Sequence, residues 1–208
     1  MKNEIVILDY DVGNVFSISN SLNKIGKKNI ITRDKKKIFE SSHIILPGVG
    51  SFHTVINMLK KFKLNEILVK KFQKQDSYLL GICLGMQLLF SESNEGGMMN
   101  SGLNLIPGRV GKLKINQNFK LPNIGWRKIY RIDKKSKLVK GINENDYFYF
   151  VHSYGITDIK NTYLSGVSKY SENNFLAMVE YKNIFGCQFH PEKSGDKGLI
   201  ILNNFCNL

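Results

Sequence analysis

Apolar and polar positions along this chain follow two periods. Glu4-Ile5-Val6-Ile7-Leu8-Asp9 is a nearly unbroken apolar run that stops at an acid, the pattern of a parallel strand covered on both faces. Tyr10-Asp11-Val12-Gly13 reads as a loop. Val15, Ile18, Leu22 and Ile25 then recur at helical spacing, with Asn14 able to cap that helix and Gly26 placed beyond its end. Further strands are predicted near Asn29-Ile30-Ile31-Thr32 and at His43-Ile44-Ile45-Leu46, followed by helices over about 52–62 and 64–73. Tyr78-Leu79-Leu80-Gly81 is another buried-strand pattern, and an amphipathic helix is predicted directly after Cys83. Ser91 to Gly97 reads as a polar, flexible loop. Beyond it, β-type runs at 109–115, 126–131, 147–152 and 163–169 predict antiparallel strands that extend the same sheet. A later strand is predicted to end at His190, and a last helix over about 196–205 to turn Leu199, Ile200, Leu202 and Phe205 to the core. The order predicts an α/β fold: a wound, mostly parallel sheet flanked by helices, with additional antiparallel strands, in one domain over 1–208.

Composition narrows the class. With 208 residues, 42% of them hydrophobic, the chain can bury one full core and is short for two. No apolar run approaches membrane-spanning length, and Met1-Lys2-Asn3-Glu4 leads straight into a strand pattern, so neither a membrane anchor nor a targeting peptide is expected, and a cytoplasmic location is. Three cysteines, Cys83, Cys187 and Cys206, are odd in number and lack metal-ligand spacing, which predicts reduced thiols and no zinc site. The formal net charge of +13 is spread over Lys27-Lys28, Lys35-Lys36-Lys37, Lys60-Lys61, Lys70-Lys71 and Lys134-Lys135. No aromatic-basic module concentrates it, so a solvated surface is expected rather than a nucleic-acid partner.

Candidate chemistry centres on Gly81-Ile82-Cys83-Leu84-Gly85. A cysteine between two glycines, at the junction of a buried strand and a helix, is the pattern of a nucleophile elbow. The helix N-terminus favours a thiolate there and leaves the Leu84 N–H free to bind an oxyanion, although a buried cysteine with only a packing role has the same local composition. Pro47-Gly48-Val49-Gly50-Ser51-Phe52 follows a strand directly, so it lies at the carboxyl edge where open parallel sheets bind ligands. Its glycines could turn a second N–H toward the same oxyanion, or form an ordinary turn. Of the four histidines (His43, His53, His152, His190), only His190 has an acid placed to fold back onto it, Glu192 after Pro191. A base and its orienting carboxylate are the two parts that a cysteine nucleophile requires. The aromatic run Tyr147 to Tyr154 reads as a core strand, and His152 within it as a hydrogen-bonded buried histidine.

Gly81-Ile82-Cys83-Leu84-Gly85-Met86-Gln87-Leu88-Leu89-Phe90 and Gln188-Phe189-His190-Pro191-Glu192 resemble the triad signatures of class I glutamine amidotransferases. With Pro47 to Phe52, Gly108-Arg109-Val110, Gly125-Trp126, Tyr149 to Tyr154 and Glu192-Lys193-Ser194-Gly195, the resemblance runs over essentially the whole chain. Within that family it is similar to the glutaminase subunits of imidazole glycerol phosphate synthase. The resemblance implies that Cys83 attacks the carboxamide of L-glutamine, that His190 moves the protons and that Glu192 orients His190. It implies an oxyanion hole from Leu84 and the Gly48-Val49-Gly50 loop, substrate contacts from Gln87, His152, Ser153 and Tyr154, and neither metal nor organic cofactor. It also implies a (β/α)8-barrel cyclase as heterodimer partner, which receives the ammonia for histidine biosynthesis, and a Pro-Gly-Val-Gly loop that shifts when that partner activates the site. One segment departs from the family: Pro122-Asn123-Ile124-Gly125-Trp126-Arg127 stands where Pro-His-Met-Gly-Trp-Asn is usual, so an altered partner surface is expected. The alternatives are a paralogous subunit feeding a sugar-amidating enzyme, a catalytically silent regulatory subunit, and a cysteine peptidase or γ-glutamyl hydrolase on the same sheet.

Overall fold

The sheet changes character halfway across, and the candidate site lies where it does. The computed structural model describes residues 4–208, so the lead-in Met1-Lys2-Asn3 lies outside the described residues. The chain runs through β1 (Ile5–Leu8), α1 (Val15–Lys24), β2 (Asn29–Thr32), α2 (Lys35–Glu40), β3 (His43–Leu46), α3 (Phe52–Lys61), α4 (Leu64–Phe72), β4 (Tyr78–Ile82) and α5 (Leu84–Leu88). It continues through β5 (Phe90–Ser93), β6 (Asn100–Ser101), β7 (Ile106–Lys112), β8 (Asn123–Ile132), β9 (Tyr147–His152), β10 (Tyr154–Gly155), β11 (Leu164–Tyr170), β12 (Asn173–Tyr181), β13 (Ile184–Cys187) and α6 (Gly195–Cys206). Nine strands pair in the order β2-β1-β3-β4-β13-β12-β11-β8-β9. The pairs from β2 to β13 are parallel and those from β13 to β9 antiparallel.

Alternate residues of the parallel strands feed two cores. Val6 and Leu8 of β1 pack with α2, α3, α4 and α5 on one face, while Ile5 and Ile7 pack with α1 and α6 on the other. Burial on both faces is the reason the strand reads as an apolar run. Each such side chain contributes about 1.5–3 kcal/mol. In the register, Leu46 stands opposite Gly81 and Ile82 opposite Cys187, so β3, β4 and β13 end side by side.

Several sequence expectations are corrected. Asn14 sits at the N-cap of α1 but makes no side-chain cap bond. The lysine run 35–37 is the first turn of a helix, capped by Asp34, whose Oδ1 accepts from the Lys37 amide at 3.0 Å. The segment after Cys83 is a five-residue helix buried on every side rather than an amphipathic one. Ser91 to Gly97 is not a loop throughout, because Phe90–Ser93 is a strand. It belongs to a separate four-stranded sheet, β10-β7-β5-β6, whose Phe90, Ile106 and Val110 pack into the main core. β12 escaped the pattern altogether. The strand before His190 ends at Cys187, because beyond it the Gln188 and His190 amides turn to the carbonyls of Ala177 and Tyr149. In α6 it is Ile201, with Leu202 and Phe205, that is fully buried, and Leu199 is not. Among the described residues no helix is long and apolar enough to cross a membrane.

Candidate active site

Three connections meet over the carboxyl ends of β3, β4 and β13. The middle one carries Cys83, whose φ of 54° and ψ of −110° are nearly closed to any residue with a side chain. Such strain costs on the order of 1–3 kcal/mol and needs surroundings that over-determine it. Here the Cys83 amide donates to the Cys187 carbonyl at 2.7 Å and the Cys83 carbonyl accepts from the Gln87 amide at 3.2 Å. Backbone packs directly on backbone around this turn. A Cβ on Gly81 would lie 2.7 Å from the Gly85 carbonyl carbon and the Met86 Cα, one on Gly85 would meet the Leu46 carbonyl oxygen, and one on Gly48 the Gly85 amide nitrogen. The glycines flanking the cysteine, and Gly48 of the neighbouring loop, are thus all required by close approach.

The turn after β13 carries His190 and Glu192. The His190 amide donates to the Tyr149 carbonyl at 2.9 Å, and the Ser194 hydroxyl closes the turn by donating to the His190 carbonyl at 2.6 Å. Tyr149 N–H donates to that same hydroxyl at 3.0 Å. His190 Nδ1 lies 2.7 Å from Glu192 Oε1, with the two side chains 3% and 0% exposed. Nδ1 is therefore committed to the carboxylate, and Nε2, buried and without a hydrogen bond of its own, is the nitrogen left for the sulfur and a leaving group. Burial opposes charge on this imidazole, but the Cys83 sulfur and the Glu192 carboxylate outweigh it and raise His190 to about 10.

Both connections open on a cavity of about 370 Å³, whose lining includes Cys83, Leu84, His190, Val49, Gly50, Gln87, His152, Ser153 and Tyr154. Glu192 stands behind His190, and Gly48 lies beneath the loop, packed on Leu84 and Gly85. His152 is a second buried imidazole, but burial dominates there: with help from His190 and Arg127, and against its bond to Tyr154, it is lowered to about 4. Two residues at the site were missed in the sequence. Glu95 lines the cavity while its Oε2 accepts from the Phe52 amide at 2.8 Å. Gln188 is fully buried, its Oε1 accepts from Gln87 Nε2 at 3.0 Å, and its Nε2 lies 3.8 Å from the Cys83 sulfur. A glutamine inside the apolar run 185–189 was the available signal for Gln188; nothing local marked Glu95. The Arg127 guanidinium folds back onto the carbonyls of Trp126 and Ile124 and over the Tyr170 ring.

Cys83, Cys187 and Cys206 are all free thiols, and burial raises the last two, Cys206 to about 12. Only Cys83 opens on the cavity. Among the described residues, no group of three or more His, Cys, Asp or Glu is placed to hold a metal ion. A strained cysteine facing an imidazole that is held by a carboxylate can carry out acyl transfer through a thioester.

Comparison with known proteins agrees with this chemistry. Residues 6–207 match the glutamine amidotransferase class-I family model. The chain is 44% identical over 203 residues to imidazole glycerol phosphate synthase subunit HisH 2 of Methanococcus maripaludis, covering 97% of this chain and 98% of that protein. It is 41% identical over 201 residues to the HisH subunit of Bacillus cereus, covering 97% and 93%. In fold it is similar to the structure of PurLQS from Thermotoga maritima, at a TM-score of 0.73 and 17% identity over 100% of this chain and 99% of the other. The chain belongs to the class-I glutamine amidotransferases.

Proposed function

We propose that this chain is the glutaminase subunit of an imidazole glycerol phosphate synthase, one amidotransferase domain over 1–208, working in the cytoplasm where its free thiols stay reduced. The observation that carries the reading is Cys83 on its strained elbow, sharing a cavity with the His190–Glu192 pair. The sulfur attacks the side-chain carboxamide carbon of L-glutamine. The C–N bond breaks as His190 Nε2 gives a proton to the leaving ammonia, and the γ-glutamyl thioester remains. His190 then takes a proton from water, which adds to the thioester and releases glutamate and the thiolate.

The remaining roles follow from what each group has left to offer. Leu84 is the first residue of α5, and its amide has no acceptor one turn back, so it stabilises the tetrahedral oxyanion. A second donor comes from the neighbouring loop. Pro47 and Gly48 are fixed there, the first by the Tyr10 hydroxyl on its carbonyl, the second by its packing on Gly85. Val49 and Gly50 are free to turn: Val49 is 37% exposed, and a Cβ on Gly50 would meet nothing within 4 Å. Gln87 spends its amide nitrogen on Tyr154 and Gln188, which leaves Oε1 to face the substrate, and Glu95 is the acid placed to receive the α-ammonium. Ser153 and Tyr154 complete the wall.

Ammonia released to water would be protonated and lose its nucleophilicity, so a partner must take it. A barrel cyclase of the histidine pathway is the partner we propose, and the exposed Ile124 and Trp126 of β8, which follow the cavity residue Pro122, support an interface there. The test is glutamate release by this chain mixed with a candidate cyclase, with and without the cyclase's ribonucleotide ligand, using Cys83→Ala as the blank. A large ligand-dependent rise is expected. No rise with a cyclase that is active on free ammonia would overturn the pathway assignment and point to a sugar-amidating partner.

A further inference from the structure

Asn123 and Arg127 stand at the far end of a hydrogen-bonded line that reaches the cavity. His152 Nδ1 lies 2.8 Å from the Tyr154 carbonyl, and a carbonyl only accepts, so the proton is on Nδ1. From the other side, Arg127 Nε lies 3.1 Å from the Asn123 amide. Arginine only donates, so the atom that faces it is the amide oxygen. The amide nitrogen therefore faces His152 Nε2, at 3.0 Å, and Nε2 must be the bare acceptor. Two independent ends of the network require the same tautomer. Arg127 is itself held, with Nη1 donating to the Trp126 carbonyl at 3.0 Å and Nη2 to the Ile124 carbonyl at 3.3 Å.

The line continues into the site. The Tyr154 carbonyl that accepts from His152 also accepts from Gln87 Nε2 at 2.8 Å, which fills both of its lone pairs. Gln87 then bonds Gln188, and Gln188 reaches the Cys83 sulfur.

We propose that Arg127 and Asn123 are positioning residues that lock His152 in the Nδ1–H tautomer, and so fix the Tyr154 carbonyl and the side chain of Gln87 at the cavity. Protonating His152 would put a hydrogen on Nε2 and turn the Asn123 amide round, leaving its nitrogen against the donor of Arg127. The turned amide would accept from Nε2, so the bond from Arg127 Nε would be the one lost, with two donors left facing each other. The charges around the ring agree with this. Arg127 faces it from β8 and His190 from the turn after β13, Cys83 and Glu95 share its cavity, and the rings of Phe175 on β12 and Phe150 on its own strand pack against it. A second cationic imidazole beside His190 would also oppose the α-ammonium of a bound amino acid. That last consequence rests on the glutaminase reading; the tautomer lock does not.

The test begins with the full chain carrying nitrogen-15 histidine. Its long-range proton–nitrogen spectra are expected to show His152 with Nδ1 protonated and Nε2 bare from about pH 5.5 to 8.5. A proton on Nε2, or a titration inside that range, overturns the proposal. In Asn123→Asp a carboxylate would accept from Nε2, so His152 is expected to titrate near neutrality, with both nitrogens protonated by about pH 6. The kcat/KM for glutamine should then gain an acid limb, falling by about tenfold between pH 8 and pH 6, as one ionisation near neutrality gives. A loss of the same size at every pH would show a merely structural role and overturn the proposal. Arg127→Met leaves the Tyr154 carbonyl to hold the proton on Nδ1 but frees the Asn123 amide to turn over and accept from a protonated Nε2. His152 should therefore keep this tautomer at high pH while its titration moves up into the range from about pH 5.5 to 8.5, with Arg127→Lys in between. A His152 that still does not titrate in that range in Arg127→Met overturns it as well. Because the spectra need no turnover, a chain with this tautomer that does not hydrolyse glutamine would refute only the glutaminase reading.

Discussion

The parallel and antiparallel halves of the sheet each end in a buried histidine on the same cavity, and the two imidazoles are driven in opposite directions. His190 follows β13, the last parallel strand, and is raised to about 10; His152 ends β9, the antiparallel edge, and is lowered to about 4. Depth does not distinguish them, since both are nearly fully enclosed, at 2% and 6% exposure. Partners do. His190 has a carboxylate and a sulfur to pair with its charge, whereas His152 has a carbonyl, a carboxamide and two neighbouring cations. In the reaction we propose, the parallel half thus holds the group that must change protonation, and the antiparallel half holds a wall that must not.

The sharpest break of this contrast is removal of the sulfur. Cys83→Ala should lower glutamine hydrolysis by about 10⁴-fold or more, measured as glutamate release, while His190 drops from its raised value because one of its two counter-charges is gone. Glu192→Gln keeps the shape of the pair but not the charge, and about 10²–10⁴-fold in kcat should be lost. In Gly85→Ala the elbow is attacked through its packing. With the new methyl driven into the Leu46 carbonyl, unfolding in urea should show a loss of about 3 kcal/mol or more.

The pH dependence of stability separates the two histidines. An imidazole raised in the fold stabilises it fully below the ordinary histidine value near 6.5, and that contribution is lost as pH rises toward 10, so His190→Gln should flatten the alkaline limb. For His152 the sign reverses. The unfolded chain takes up a proton below about 6.5 while the folded imidazole waits until about 4, so stability falls by up to about 3 kcal/mol on acidification, and His152→Gln should remove most of that fall. Urea titrations across pH read both limbs. Trp126→Ala should be the mildest change: the residue is 48% exposed, so the isolated chain should shift by less than about 0.5 kcal/mol, while stimulation by the cyclase we propose as partner should weaken.

The same contrast explains what the sequence made legible. Strands covered on both faces are written as apolar runs, and the spans 29–32 and 43–46 could be read to the residue. The elbow was legible because its chemistry is local: two glycines, a cysteine and a helix start. The antiparallel half depends on distant pairing. β12 must find both β11 and β13, and the small sheet unites β5 with β7 and β10, so no short window reveals them. α2 was hidden by its lysines, since the face that packs contributes only Ile38. Glu95 and Gln188 take their importance from groups far along the chain, Phe52 in one case and Gln87 in the other. Arg127 was visible as a charge, but its direction is set by carbonyls that no composition records.

The contact of Gly48 with Leu84 and Gly85 has a mechanical consequence. Where backbone rests on backbone there is no side chain to compress, so the Pro47–Gly48 end of the loop and the start of α5 move as one piece. The loop then behaves as a hinge with one leaf bolted down. A body pressing on Val49 would swing the Val49–Gly50 leaf against a fixed Leu84 amide, so of the two oxyanion donors we propose, the second could be brought in or withdrawn without disturbing the first.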